Sequence, residues 1–318
     1  MMKLLVILAS LVLLLLLTMY YLYRLVFCHP MKKRPDVRQI PENRLYKAYR
    51  DIMIAYIDEM ERTPHERVSI LSFDGCRLYG KLYRMKENGP LVIFFHGYHG
   101  TAAWDGYGFF NICKNNGINI LMVDERTHGN SEGSAITFGI KERYDCKLWT
   151  EYVIKLLGEK TDIFFAGVSM GAASVMMSTQ LGLPGNVKGI VADCGYSEPC
   201  AIIKETIRGM KLPVEPVYWL VRFSARLFGH FDPEEASPLE AVKKLEIPIL
   251  FIHGTKDSVV PFSMGKELYE NCAAKKEKVW MEGADHANSA LTDYETYQTG
   301  VMEFFDRNLS SNDKKECM

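Results

Sequence analysis

The first strong pattern along the chain is an unbroken apolar run rather than a periodic one. From Leu4 to Tyr23 the sequence reads LLVILASLVLLLLLTMYYLY, with no charged residue. About 20 apolar residues suffice to cross a bilayer as a helix. A cleaved signal peptide would have a shorter apolar core closed by small residues. This run ends instead in Tyr20, Tyr21 and Tyr23, residues suited to the membrane–water boundary. The stretch before Cys28 faintly resembles a lipoprotein cleavage site, but the bulky Phe27 speaks against it. The pattern predicts an uncleaved anchor over 1–28. Residues 29–41, HPMKKRPDVRQIP, read as a linker. Leu45, Tyr49, Ile52, Tyr56 and Met60 then recur at spacings of three and four, which predicts an amphipathic helix ended by Thr63-Pro64. Linker and helix together fill 29–65.

From residue 66 the period changes. VSILSF and RLYGKLY flank Asp74-Gly75, a hairpin signal. The runs LVIFFHG, INILMVD, DIFFAGV, VKGIVAD, PILFIHG and KVWMEG are short and mostly apolar, as strands buried on both faces are. Helical stretches separate them, around 104–117, 140–157, from 171, after Pro261 and over 294–309. This alternation predicts an α/β fold, a mostly parallel twisted sheet with helices on both faces, spanning 66–308. Residues 197–240 break it: they read as two or three helices without a strand, a lid-like insertion. Residues 309–318 form a polar tail.

Charge adds an orientation. Arg24, Lys32, Lys33, Arg34 and Arg38 follow the apolar run, against Lys3 and the terminal amine before it. Cytoplasmic flanks carry such an excess, so the folded domain is expected on the cytoplasmic side of a cell membrane, with the basic cluster near anionic head groups. The net charge of −1 supplies no excess to neutralise phosphates and argues against nucleic acid as a partner. The 8 cysteines are scattered without C-x-x-C spacing, which disfavours a zinc site. They read as reduced thiols, consistent with the cytosol.

In an open parallel sheet, ligands bind beyond the carboxyl ends of the strands. The polar residues at those ends are His96-Gly97-Tyr98-His99-Gly100, Asp124 to Gly129, Ser169, Asp193, Asp257 and His286. The order along the chain is serine, aspartate, histidine. Ser169 stands in Gly-Val-Ser-Met-Gly at 167–171, a pattern short enough to arise by chance. A small packing residue is the alternative there. Asp193 competes with Asp257 as the acid, and His96, His99, His128 and His253 compete with His286. The glycines after His96 and His253 suggest loop shaping, and Asp124 and Arg126 suggest loop fastening around His128. Asp285 reads as a turn or solvent group.

Taken together, HGYHG, DERTHGNS, GVSMG and the pair HGTKDSVVP and GADH resemble the α/β-hydrolase family over about 66–308. The resemblance is nearest to the serine-aminopeptidase and monoacylglycerol-lipase-like branch of bacterial membrane-anchored type. That branch often has histidine where Val168 stands, a departure that bears on the branch and not on the three polar residues. The resemblance implies an α/β-hydrolase fold and a nucleophile, Ser169, activated by His286, which Asp257 orients. It implies an oxyanion hole from the backbone N–H groups of Tyr98 and Met170. No metal or organic cofactor is implied.

The implied reaction is acyl transfer to water. Trp219, Phe223 and Phe228, with Leu220 and Leu227, are candidates to line an acyl pocket in the insertion; packing of the lid onto the core is the alternative. An anchor and an apolar lid favour a carboxylic ester of a lipid-like or acylated small molecule. Amide cleavage of the aminopeptidase kind is an alternative, and so is a non-catalytic binding protein of the same fold.

Overall fold

A computed structural model describes residues 1–28, 36–42 and 44–309. Most of the expected linker, with Lys32, Lys33 and Arg34, and the tail from 310 onward lie outside the described residues.

Among the described residues eight strands form one sheet, in the order β1-β2-β4-β3-β5-β6-β7-β8. They are β1 (Glu66–Leu71), β2 (Arg77–Tyr83), β3 (Leu91–Phe95), β4 (Asn119–Val123), β5 (Ile163–Val168), β6 (Val187–Asp193), β7 (Ile249–Gly254) and β8 (Lys276–Met281). The hairpin β1–β2 turns at Gly75, whose φ of +83° explains the glycine. β2 also pairs antiparallel with β4, and the remaining neighbours are parallel.

The alternation of side chains sorts the core into two layers. Val92 and Phe94 of β3, with Phe164 and Ala166 of β5, face α4 (Tyr107–Asn115) and α12 (Tyr294–Asn308) through Phe109, Phe110, Val301 and Phe304. Leu91, Ile93 and Phe95, with Phe165, face α5 (Glu142–Leu157), α6 (Met170–Ser178) and α10 (Phe262–Asn271) through Trp149, Val153, Val175 and Leu268. Burial on both faces is why these strands read as continuous apolar runs. The short helices α3 (Ala102–Asp105), α9 (Pro238–Val242) and α11 (Ser289–Thr292) fill loops around the sheet.

The helix before the sheet, α2 (Arg50–Arg62), ends at Thr63 as the Thr-Pro pair predicts. Its buried stripe is Met53, Ile57 and Met60, while Ile52 is exposed. The difference has a simple origin. A 3-10 turn occupies Lys47–Tyr49, so Leu45 and Tyr49 precede the helix and do not set its phase.

The insertion between β6 and β7 holds α7 (Pro199–Gly209), α8 (Val214–Ser224), a π-helical turn over Ala225–Gly229, and α9. The N-terminal helix α1 (Met2–Phe27) is long and apolar enough to cross a membrane. From Met2 to Thr18 it is exposed, but its last turns join the body. Phe27 is completely buried, edge-on to Phe138 and Phe231, and its carbonyl accepts the Ile136 N–H at 2.7 Å. Tyr23, Phe27, Tyr196, Tyr218 and Val221 thus belong to one apolar cluster shared by helix end and insertion.

Candidate active site

β5 runs into α6 through Ser169, whose backbone sits at φ 55°, ψ −113°. That conformation is costly for a residue with a side chain. It is held by close packing on either side. A Cβ on Gly171 would collide with the carbonyl of Phe95 at the end of β3, and one on Gly167 would collide with the backbone of Gly171 and Ala172. The Ser169 N–H donates to the Asp193 carbonyl at 2.8 Å, which ties the turn to β6. The hydroxyl is thereby pushed out of the sheet edge.

His286 comes from the loop after β8 and meets that hydroxyl, with Nε2 3.0 Å from Ser169 Oγ. Asp257, from the loop after β7, lies 2.7 Å from His286 Nδ1 through Oδ2. The carboxylate at Nδ1 fixes the tautomer with the proton there, leaving Nε2 to accept from Ser169. Oδ1 of Asp257 accepts the N–H groups of Val259 and Val260. Its side chain is fully buried. Burial alone would raise the carboxyl, but hydrogen bonds from His253 and His286 outweigh it and hold Asp257 well below the usual carboxylate range. Burial also opposes the charged form of His286; the hydrogen bond and charge of Asp257, with Asp105 and Asp193 further off, prevail and raise it. The site thus holds a base strengthened by a fixed anion.

The other candidates take structural positions. Asp193 accepts from Ser289 Oγ at 3.1 Å, and burial pushes its carboxyl up to about 6. His96 Nε2 accepts the Glu125 N–H, and His128 Nε2 accepts the His99 N–H, so both imidazoles pin loops. His253 stands 3.4 Å from Asp257 and bonds the Val260 carbonyl. Asp285 does more than turn a loop: it accepts the N–H groups of Ser258 and His286 and pairs with Arg44 at 2.9 Å. The Cys194 thiol joins Asp257 and His286 in a cluster of potential metal donors within 4.8 Å. The carboxylate and imidazole face each other there, and burial keeps the thiol protonated. This donor set suits a proton held between Asp257 and His286.

The two N–H groups expected to serve an oxyanion belong to Met170 and Tyr98. Met170 is the first residue of α6, where helix geometry leaves the N–H without an intrahelical acceptor. Tyr98 lies in the turn after β3, and its N–H meets no acceptor among the described residues. This turn is braced by Asp105, which accepts the Gly97 N–H at 2.8 Å, and by the Tyr98 hydroxyl, which donates to the Val26 carbonyl of α1 at 2.8 Å. The end of the apolar helix therefore bears directly on the loop beside Ser169.

A cavity of about 280 Å³ opens at Ser169 and His286, lined also by Tyr98, Leu45, Tyr46 and Val259. Its roof is the strap before α2, where the sequence pattern assigns residues up to 41 to a linker and Leu45 to the amphipathic helix. Trp104 Nε1 donates to the Val37 carbonyl at 2.6 Å, and Asn288 Nδ2 to that of Leu45 at 2.8 Å. A larger cleft of about 530 Å³ lies between α2 and the β1–β2 hairpin, around Met60, Tyr79 and Lys81, and contains none of the three residues. The expected acyl-pocket residues are corrected by the structure. Trp219 and Phe223 point outward from α8, each 49% exposed, and Phe228 packs on Tyr20 and Tyr23 of α1. The inward positions of α8 go to Tyr218 and Val221 instead. Aromatic content marked the helix as apolar but could not say which face meets the core.

A family model described as "Serine hydrolase (FSH1)" matches residues 151–287. The chain is 28% identical over 264 residues to the uncharacterized protein YqkD of Bacillus subtilis (strain 168), covering 81% of this chain and 83% of that one. It is 25% identical over 268 residues to the uncharacterized protein YfhR of Salmonella typhi, with 77% and 83% covered. Among solved structures, the Pyrococcus furiosus esterase Pf2001 superposes with a TM-score of 0.65 at 24% identity, covering 89% of this chain and 100% of that one. The chain has the α/β-hydrolase fold.

The electrostatics predict a pH profile. His286 must be neutral to take a proton, and its pKa is raised, so kcat/KM should fall as pH drops through a value above about 6.5, the ordinary histidine value. Asp257→Asn removes the largest raising influence and leaves burial opposed only by the more distant Asp105 and Asp193, so the acid limb should move down while the rate drops on the order of 10⁴-fold. A stopped assay series from pH 5 to 9 in both variants reads this; an unmoved limb would contradict the assignment of Asp257.

Proposed function

We propose that this chain is a serine hydrolase that cleaves a carboxylic ester of a lipid-like or acylated substrate at a membrane surface. The observation that carries the reading is the continuous hydrogen-bonded path from Ser169 Oγ to His286 to Asp257, at 3.0 and 2.7 Å. In the reaction, His286 Nε2 takes the Ser169 proton as Oγ attacks the ester carbonyl. The developing oxyanion is met by the N–H groups of Tyr98 and Met170. The imidazolium, steadied by Asp257, gives its proton to the leaving alkoxide, and an acyl-enzyme remains on Ser169. Water then enters with His286 as base and releases the acid. The serine hydrolase description over 151–287 supports the reaction type. The apolar side chains of Leu45, Val168 and Val259 around the cavity favour an acyl chain over a charged amine.

In this reading α1 is a single-pass anchor and the domain faces the cytoplasm. Support comes from its length and hydropathy, from the basic residues that follow it, and from the seven described cysteines, which form no disulfide. Protease added outside intact cells should therefore leave the domain whole; its digestion there would reverse the orientation.

Ester hydrolysis is tested with purified full-length protein on p-nitrophenyl esters of graded chain length and on matching anilides. Ser169→Ala and His286→Ala should each lower kcat on the order of 10⁶-fold. Esters should be cut faster than anilides. Activity surviving Ser169→Ala, or faster cleavage of anilides, would defeat the proposal.

A further inference from the structure

The outward face of the lid takes no part in the proposed reaction. Trp219, Phe223 and Leu227 recur every fourth residue and are 49%, 49% and 48% exposed, so they form one stripe. Met210 and Leu212, at the turn between α7 and α8, are exposed as well. A soluble surface seldom groups large apolar side chains in this way without a partner.

We propose that this stripe lies in the lipid leaflet from which α1 emerges, so that the lid is a second membrane contact beside the anchor. The inference rests on the reading of α1 as a membrane span. Its first support is continuity. Phe231 packs on Phe27, and Phe228 packs on Tyr23 and Tyr20, at centroid distances of 5.1, 5.8 and 5.3 Å. Followed backwards from Phe231, the lid chain therefore steps along α1 toward its apolar end. α8 precedes this segment and packs against α1 itself. Its outward stripe thus starts where the anchor leaves the body, at Tyr20 and Tyr21, which are themselves exposed.

The chemistry of the stripe fits the same occupant. Trp219 carries the Arg222 guanidinium over its ring at 5.7 Å, an amphipathic pairing suited to the head-group boundary. Arg24 and Lys211 are exposed beside the apolar residues and would meet anionic head groups. The acidic neighbours are engaged: Glu205 pairs with Arg208, Glu215 with Lys204, and Asp232 with Arg222 and Arg226. The consequence for the reaction is a short path. Tyr98 lines the cavity at Ser169 and its hydroxyl bonds Val26 in the last turn of α1, so one side chain links the body end of the anchor to the reacting hydroxyl. A substrate drawn from the leaflet need not cross bulk water.

The test uses full-length protein reconstituted in vesicles of phosphatidylcholine and phosphatidylglycerol, with and without phosphatidylcholine brominated in its acyl chains. Of the four tryptophans, Trp104 and Trp149 are buried and Trp280 is packed between Phe262 and Tyr269. Brominated lipid should quench part of the tryptophan emission, and Trp219→Phe should remove most of that quenchable part. Flotation of the same samples reports the anchor separately. Protein that floats but shows no quenching, or the same quenched fraction in Trp219→Phe, overturns the lid contact and leaves the anchor standing. Protein that does not float overturns both. A cross-linked dimer through this face, with unquenched Trp219, would give the stripe to a second copy and also overturn the proposal.

Discussion

Everything at the site depends on how closely α6 approaches the end of β3. Gly171 rests against the Phe95 carbonyl at a distance that no Cβ would permit. That approach forces the chain between β5 and α6 through the Ser169 conformation at φ 55°. It also brings the first N–H of α6 to the side of the sheet where the Tyr98 turn lies. The Ser169 hydroxyl and the Tyr98 turn thus line one cavity. The residues that reach this hydroxyl, His286 and behind it Asp257, arrive later on loops and are held there by Ser258, Asp285, Val259 and Val260. The strain is local, and the rigid parallel strands on both sides supply the resistance to it.

The end of α1, the insertion and the candidate site share one body of packed side chains. Phe27 is as deeply buried as any strand residue, and Tyr98 reaches from the turn after β3 to the Val26 carbonyl. A tether would need none of these contacts. The last two turns of α1 instead complete the cluster under the insertion, so the end of the apolar helix and the candidate site are fixed to one another.

Much of this was legible in the sequence where the determinants are local. Short continuous apolar runs ending in polar residues marked the strands, and the order serine, aspartate, histidine along the chain singled out Ser169, Asp257 and His286, which the fold brings into contact. What failed depended on contacts between distant segments. Arg44 and Asp285, 241 residues apart, close the strap over the cavity, and nothing near either residue announces the other. Asp105 under the Gly97 N–H looked like an ordinary helix residue. The lid stripe failed for a different reason: Trp219, Phe223 and Phe228 are equally consistent with an inward or an outward face, and the face was settled by Tyr218 and Val221 reaching the core first. In α2 the phase slipped because a 3-10 turn took the first residues of the apparent pattern.

The central claim is that Ser169 is the group that forms a covalent bond to substrate. It is tested most directly by treating the full-length protein with a fluorophosphonate and mapping the adduct by peptide mass spectrometry. The account predicts a single stoichiometric adduct on the peptide carrying Ser169, absent in Ser169→Ala and strongly slowed in His286→Ala. An adduct that persists in Ser169→Ala, or that maps to another residue, would contradict it.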